Sequence, residues 1–123
     1  PALMVDEISA ETLQDRLDED GLRIVDIRAP HGFRHGHIPG SENLPFQQLT
    51  TQVERLTDAD RIVTVCPHGK SSIQAARLIN SYEGIDDGTA VSLASGLEGW
   101  DGPVATADGV GDSEPDEGPS APF

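Results

Sequence analysis

The chain reads as an α/β domain built on a mainly parallel sheet with helices on both faces. Two patterns predict this: short runs of β-branched residues recur along the chain, and stretches with apolar positions at helical spacing fall between them. Length supplies a third observation, since 123 residues leave room for one domain with one core. An opening strand is expected near Leu3-Met4-Val5, followed by a helix that Ser9 caps and that runs to about Asp18, with Leu13 and Leu17 on its inner face. Gly21 ends it, and Leu22-Arg23-Ile24-Val25-Asp26-Ile27 follows as a strand. Pro30, Gly32, Gly36, Pro39 and Gly40 then predict an irregular loop. Phe46, Leu49, Val53 and Leu56 share one face of a second helix. Arg61-Ile62-Val63-Thr64-Val65 is a buried strand, and Ile73 to Ile79 returns to helical spacing. A last strand near Ala90-Val91-Ser92-Leu93 and a helical turn around Leu97-Glu98-Gly99-Trp100 close the core, with Trp100 packed inside.

The stretch Cys66-Pro67-His68-Gly69-Lys70-Ser71-Ser72 carries the chemistry. It holds the only cysteine, placed directly after a strand and directly before a helix. A helix start aims unpaired N–H groups and the positive end of its dipole at whatever sits above it. A free cysteine with a pKa near 8.5 is only about 3% thiolate at neutral pH, and a drop of roughly two units makes thiolate the main species. Most lone cysteines are small buried hydrophobes. Here Gly69 lets the backbone curl round an anion, Ser71 and Ser72 can donate hydrogen bonds, and Lys70 brings charge. Lys70 is the only lysine in the chain.

Composition narrows the partners. Twenty-two acidic residues against eight basic ones give a net charge of −14, so neither nucleic acid nor anionic membrane is an expected partner. No apolar run approaches the roughly 20 residues that span a bilayer, and the start of the sequence lacks the pattern of a secretion signal. With a single cysteine, no internal disulfide forms, and the expected location is cytoplasmic. From Ala105 to Phe123 the sequence offers almost nothing to bury, which predicts a disordered acidic tail. His31, His35 and His37 have no cysteine pair to complete a zinc site, so no metal is expected.

Four segments together carry a family resemblance. They are Val25-Asp26-Ile27-Arg28; Phe33-Arg34-His35-Gly36-His37-Ile38-Pro39-Gly40-Ser41-Glu42-Asn43-Leu44-Pro45; the Cys66 loop; and Ser95-Gly96-Leu97-Glu98-Gly99-Trp100-Asp101-Gly102-Pro103-Val104. In this order and spacing the chain resembles a single-domain rhodanese over roughly residues 6 to 104. The resemblance implies a rhodanese-like domain over 1–104 with a five-stranded sheet, followed by the tail over 105–123. It also implies transfer of a sulfane sulfur, from thiosulfate or a persulfide, through a persulfide on Cys66, with no cofactor. The partners it implies are a small anionic sulfur donor and a sulfur acceptor, which can be a protein. A relay or interaction module serving tRNA thiolation or sulfur-cofactor assembly is the other role it allows.

In that family pattern His68, Gly69, Lys70, Ser71 and Ser72 cradle the donor, with Lys70 as its binding charge. Asp26 and Arg28 stand behind them and hold the walls of the site. Many members carry arginine five positions after the cysteine, where this chain has Ser71. A cysteine phosphatase or arsenate reductase needs arginine six positions after it, and Ser72 stands there instead.

Such an acidic, lysine-poor composition also resembles that of proteins from salt-loving organisms, where molar salt shortens the Debye length to about 3 Å and quenches self-repulsion. Thermal melts in dilute buffer and in molar KCl should therefore differ, with the higher Tm in salt; equal melting temperatures would contradict a halophilic reading.

Overall fold

In the computed structural model, described over residues 6–86 and 88–106, five parallel strands form one sheet. In chain order the elements are β1 (Glu7–Ile8), α1 (Ala10–Asp15), β2 (Leu22–Asp26), α2 (Pro30–His35), β3 (Glu42–Asn43), α3 (Leu49–Gln52), β4 (Arg61–Val65), α4 (Ser71–Asn80) and β5 (Ala90–Leu93). The strands lie in the order β1-β5-β4-β2-β3, and every pairing is parallel. The α/β class and the five-stranded parallel sheet expected from the sequence are therefore both present. Of the tail expected over 105–123, residues 107–123 lie outside the described residues, as does the expected strand near Leu3-Met4-Val5, whereas Ala105 pairs with His37 through two main-chain hydrogen bonds. Glu7 and Ile8 make the edge pairing, opposite Ser92 and Leu93 of β5.

Alternation along the strands sorts two apolar layers. Val25, Ile27, Ile62, Cys66 and Ala90 join Leu49, Val53, Leu56, Ala75, Ala76 and Ile79 on one face. Ile8, Ile24, Val63, Val65, Val91 and Leu93 join Leu13, Ile38 and Trp100 on the other. Helices thus cover both faces, and period-2 parity puts Cys66 under α4.

Several elements differ from the sequence expectation. Ser9 does cap α1, its Oγ accepting the Thr12 N–H at 3.1 Å, but the helix stops at Asp15, where Arg16 leaves helical geometry. The expected irregular loop from Pro30 contains α2, because a proline in the first helical turn gives up no hydrogen bond that a helix needs there. His37 fixes the end of this helix. Its ring stacks on Phe33 with centroids 3.8 Å apart, and its Nδ1 lies 2.7 Å from the Phe33 carbonyl oxygen. The helix expected over Phe46 to Leu56 is a short α3 between two 3₁₀ turns, Phe46–Gln48 and Val53–Leu56. Leu49, Val53 and Leu56 are buried nonetheless, so the apolar face survives the change of helix type. Trp100 is buried as expected, its indole N–H donating to the Pro103 carbonyl at 2.8 Å.

Crossovers set the position of the site. From β2 the chain moves outward to β3, whereas from β4 it moves the other way to β5, so direction reverses between β2 and β4. A crevice opens outside the carboxyl ends of the strands at such a switch point. Among the described residues no helix is long and apolar enough to cross a membrane.

Truncating a core contact should show how far the α3 face supports this layer. Leu49→Ala, at a fully buried position, is expected to cost about 2–5 kcal/mol in urea unfolding; Val104→Ala, at a position 55% exposed, should stay within about 0.5 kcal/mol.

Candidate active site

Val65 ends β4, and the chain then turns through Cys66 to Lys70 before α4 begins at Ser71. Gly69 makes the turn possible. Its φ of +82° is in the left-handed region, and a Cβ there would collide with the Ala94 carbonyl oxygen. The loop is clamped from the far end of the sequence: the Leu97 N–H donates to the Cys66 carbonyl at 2.8 Å and the Glu98 N–H to the Pro67 carbonyl at 3.0 Å. Gly96, at φ +66°, lets the two backbones approach this closely, since a side chain there would meet Pro67 and Gly69. Sequence reading placed the segment around Trp100 in the core and did not see that its first residues hold the cysteine loop.

Two main-chain donors and one hydroxyl group converge on the sulfur. Cys66 Sγ lies 3.1 Å from the Gly69 N–H nitrogen, 3.3 Å from that of Ser72, and 3.3 Å from Ser72 Oγ. Burial is the largest single influence on the thiol and pushes its pKa up. The Ser72 hydroxyl and the amides of Ser72, Gly69 and His68 pull it down and together prevail, leaving it below the ordinary cysteine value. Cys66 is only 2% exposed, yet it lines a cavity of about 230 Å³ with Ile27, Arg28, Ala29, Phe46, Gln47, Pro67 and Ser71. The cavity lies at the carboxyl ends of β2 and β4, as the crossovers require.

Asp26 and Arg28 build one wall. The Asp26 carboxylate, 1% exposed, accepts the Arg28 backbone N–H at 3.0 Å and both Nε and Nη2 of the guanidinium, the closest at 2.7 Å. Arg28 Nη2 also donates to the Gly36 carbonyl at 2.6 Å. Asn43 Nδ2 donates to the carbonyls of Asp26 and Arg28, tying β3 to the same corner. Buried ion pairs of this kind hold geometry because losing one partner strands the other.

The other expected donor-binding residues divide. Gly69 and Ser72 touch the sulfur, and Ser71 lines the cavity. Lys70 is exposed at the start of α4 and is not among the cavity-lining residues. The His68 ring turns to Glu98, 3.2 Å away, and both side chains are more than 60% exposed. Arg28, expected to stand behind the site, is the cation on the cavity wall. Among the described residues no group of three His, Cys, Asp or Glu is placed to hold a metal; His35 Nδ1 instead contacts the His31 carbonyl oxygen.

Thr64 and Ser92 went unassigned in the sequence. They sit opposite each other on β4 and β5, both fully buried. Thr64 Oγ1 donates to the Ser72 carbonyl at 2.6 Å, and Ser92 Oγ lies 2.6 Å from Ser72 Oγ. Strand parity was the available signal, for Thr64 shares a face with Ile62 and Cys66, and Ser92 with Ala90.

A cysteine cradled by main-chain donors at the switch point of a parallel sheet defines an α/β domain with a candidate cysteine site. Comparison with known proteins makes the class particular: the model of the rhodanese-like domain matches residues 9–102, and the chain belongs to that family. It is 36% identical over 94 residues to thiosulfate sulfurtransferase GlpE of Shewanella oneidensis, a match covering 76% of this chain and 89% of the relative. It is 28% identical over 102 residues to YrkF of Bacillus subtilis, named there as a candidate sulfur carrier; that match covers 82% of this chain and 54% of the longer protein. Among solved structures, a thiosulfate sulfurtransferase from Pseudomonas aeruginosa superposes with a TM-score of 0.74 at 28% identity, over 86% of this chain and 20% of that one.

The depressed thiol pKa makes two expectations with one sign. Alkylation of Cys66 by iodoacetamide should reach half its limiting rate at a lower pH in the folded chain than in the urea-unfolded chain. The folded state binds fewer protons than the unfolded chain between those two midpoints, so this contribution is fully present above the unfolded pKa. It is lost as pH falls through the folded one. Unfolding free energy should therefore fall on acidification through that window in the native chain and not in Cys66→Ser.

Proposed function

We propose that this chain is a sulfurtransferase that carries a sulfane sulfur as a persulfide on Cys66. The observation that carries the reading is the set of N–H and O–H donors converging on Cys66 Sγ beside a cavity with Arg28 on its wall. In the first half-reaction the thiolate attacks the outer sulfur of thiosulfate. A new S–S bond forms, the old one breaks, and sulfite leaves with the electron pair. In the second, a thiophilic acceptor such as cyanide or a thiolate attacks the terminal sulfur, and Cys66 leaves as the thiolate it was at the start.

Negative charge is present at every stage, and the site answers it with fixed dipoles. The amides of His68, Gly69 and Ser72 with the Ser72 hydroxyl meet the charge on sulfur without reorganising as it moves. The donor's sulfonate meets the Ser71 hydroxyl and the Arg28 guanidinium on the cavity wall, while Lys70 and His68 stay exposed outside it. Arg28 is locked in place by Asp26 and Gly36, so its guanidinium is preset on the cavity wall. No cofactor enters these steps. A thiolate that must stay reduced fits a cytoplasmic location.

The similarity to YrkF supports a second reading, in which the persulfide is handed to a protein acceptor with little turnover on small molecules. Assay of thiosulfate-to-cyanide transfer separates the two. Turnover that Cys66→Ser lowers by at least about 10³-fold supports the enzyme. A stable mass gain of one sulfur on the native chain, absent from Cys66→Ser and without turnover, supports the relay. Neither turnover nor mass gain overturns both.

A further inference from the structure

The Ser72 hydroxyl that reaches the Cys66 sulfur at 3.3 Å is itself held, 2.6 Å away, by the hydroxyl of Ser92. Ser92 belongs to β5, not to the cysteine loop, and both serines are fully buried. Among the described residues Ser72 Oγ is the one hydrogen-bond partner of Ser92 Oγ. Thr64, the other hydroxyl in the layer, is committed elsewhere, donating to the carbonyls of Ser72 and Val91. We propose that Ser92 is a positioning residue whose hydroxyl turns the Ser72 O–H onto the Cys66 sulfur, forming a chain whose hydrogens match its links when the sulfur is a thiolate and not when an S–H points at Ser72. This rests on Cys66 being the working nucleophile.

The count of hydrogens makes the case. Two links join three atoms: Sγ to Ser72 Oγ, and Ser72 Oγ to Ser92 Oγ. With a thiolate, Ser92 donates to Ser72 and Ser72 donates to sulfur, so two hydrogens fill two links. With a thiol whose S–H is aimed at Ser72, the chain reverses and three hydrogens compete for the same two links. The hydroxyl hydrogen of Ser92 is then left in a buried layer without an acceptor, an arrangement that folded proteins avoid. No proton passes along the chain. Each oxygen keeps its own hydrogen and rotates, while the thiol proton departs through the cavity that Cys66 lines. Without Ser92, the Ser72 hydroxyl loses the neighbour that fixes its rotation, and its donation to sulfur weakens.

The test measures ionisation and needs no sulfur donor, so its failure is distinguishable from failure of the sulfurtransferase reading. Iodoacetamide alkylation rates against pH are compared for the native chain, Ser92→Ala, Ser72→Ala and the double variant. The midpoint for Ser92→Ala should rise by about one pH unit, about tenfold less thiolate at a fixed pH well below it. Ser72→Ala should rise at least as far, and the double variant should match Ser72→Ala alone, because the two hydroxyls act through one link. An unchanged midpoint in Ser92→Ala, or shifts that add in full, would overturn the proposal. Should Ser92→Ala fail to fold, the ¹³Cβ resonance of Ser92 in the native chain decides: it should move with the Cys66 midpoint, and a flat resonance across that range would overturn the proposal.

Discussion

The rest of this domain depends on main-chain donors converging on one buried sulfur atom, which lowers its pKa in a place that would otherwise raise it. Burial alone drives a thiol toward its protonated form. The N–H groups of Gly69 and Ser72 and the Ser72 hydroxyl reverse that tendency because all of them lie within about 3.3 Å of Sγ. Their convergence is a property of backbone path, so the demands fall on residues that permit the path. Gly69 supplies the left-handed turn, Gly96 allows the second loop to press against the first, and the amides of Leu97 and Glu98 fasten it. The side chains most often associated with anion binding, Lys70 and His68, stand outside this inner arrangement.

Charge elsewhere in the molecule is organised on a second scale. A net charge of −14 opposes the approach of an anion, and the cavity wall presents a guanidinium that its pairing with Asp26 keeps from swinging away. Asp26 holds Arg28 through two nitrogens, and the Gly36 carbonyl, at the end of α2, takes the same Nη2. The stacked Phe33 and His37 rings close that helix from below. A short helix that sequence reading did not anticipate thus helps to orient the one cation on the cavity wall.

What could be read from the sequence follows from which physical signals are local. Strands β2, β4 and β5, the Ser9 cap and the cysteine turn are encoded in contiguous residues, and each lies where the apolar periodicity put it. The apolar face over Leu49, Val53 and Leu56 was also legible, although not its division into 3₁₀ and α turns, since the spacing of buried residues suits both. Helix α2 was hidden because its glycine and proline carry loop propensity, and what stabilises it comes from outside its span, at Arg28 and His37. In the site, Cys66, Gly69, Ser71 and Ser72 announced themselves by adjacency. Thr64 and Ser92 did not, because a hydroxyl inside an apolar strand gains meaning only when register sets β4 against β5 and α4 over both. The same limit explains Arg28, whose place on the wall depends on the crossover between β2 and β4.

The clamp from Leu97 and Glu98 also gives the domain an order of completion. Translation delivers Cys66 some thirty residues before the amides that fasten the loop, with α4 complete in between, and Ser92 arrives only shortly ahead of them. A nascent chain that has reached α4 therefore carries the nucleophile and its helix but lacks the backstop that fixes their geometry. Closure of the fold at its C-terminal end is thus what completes the setting of a cysteine laid down much earlier in the chain.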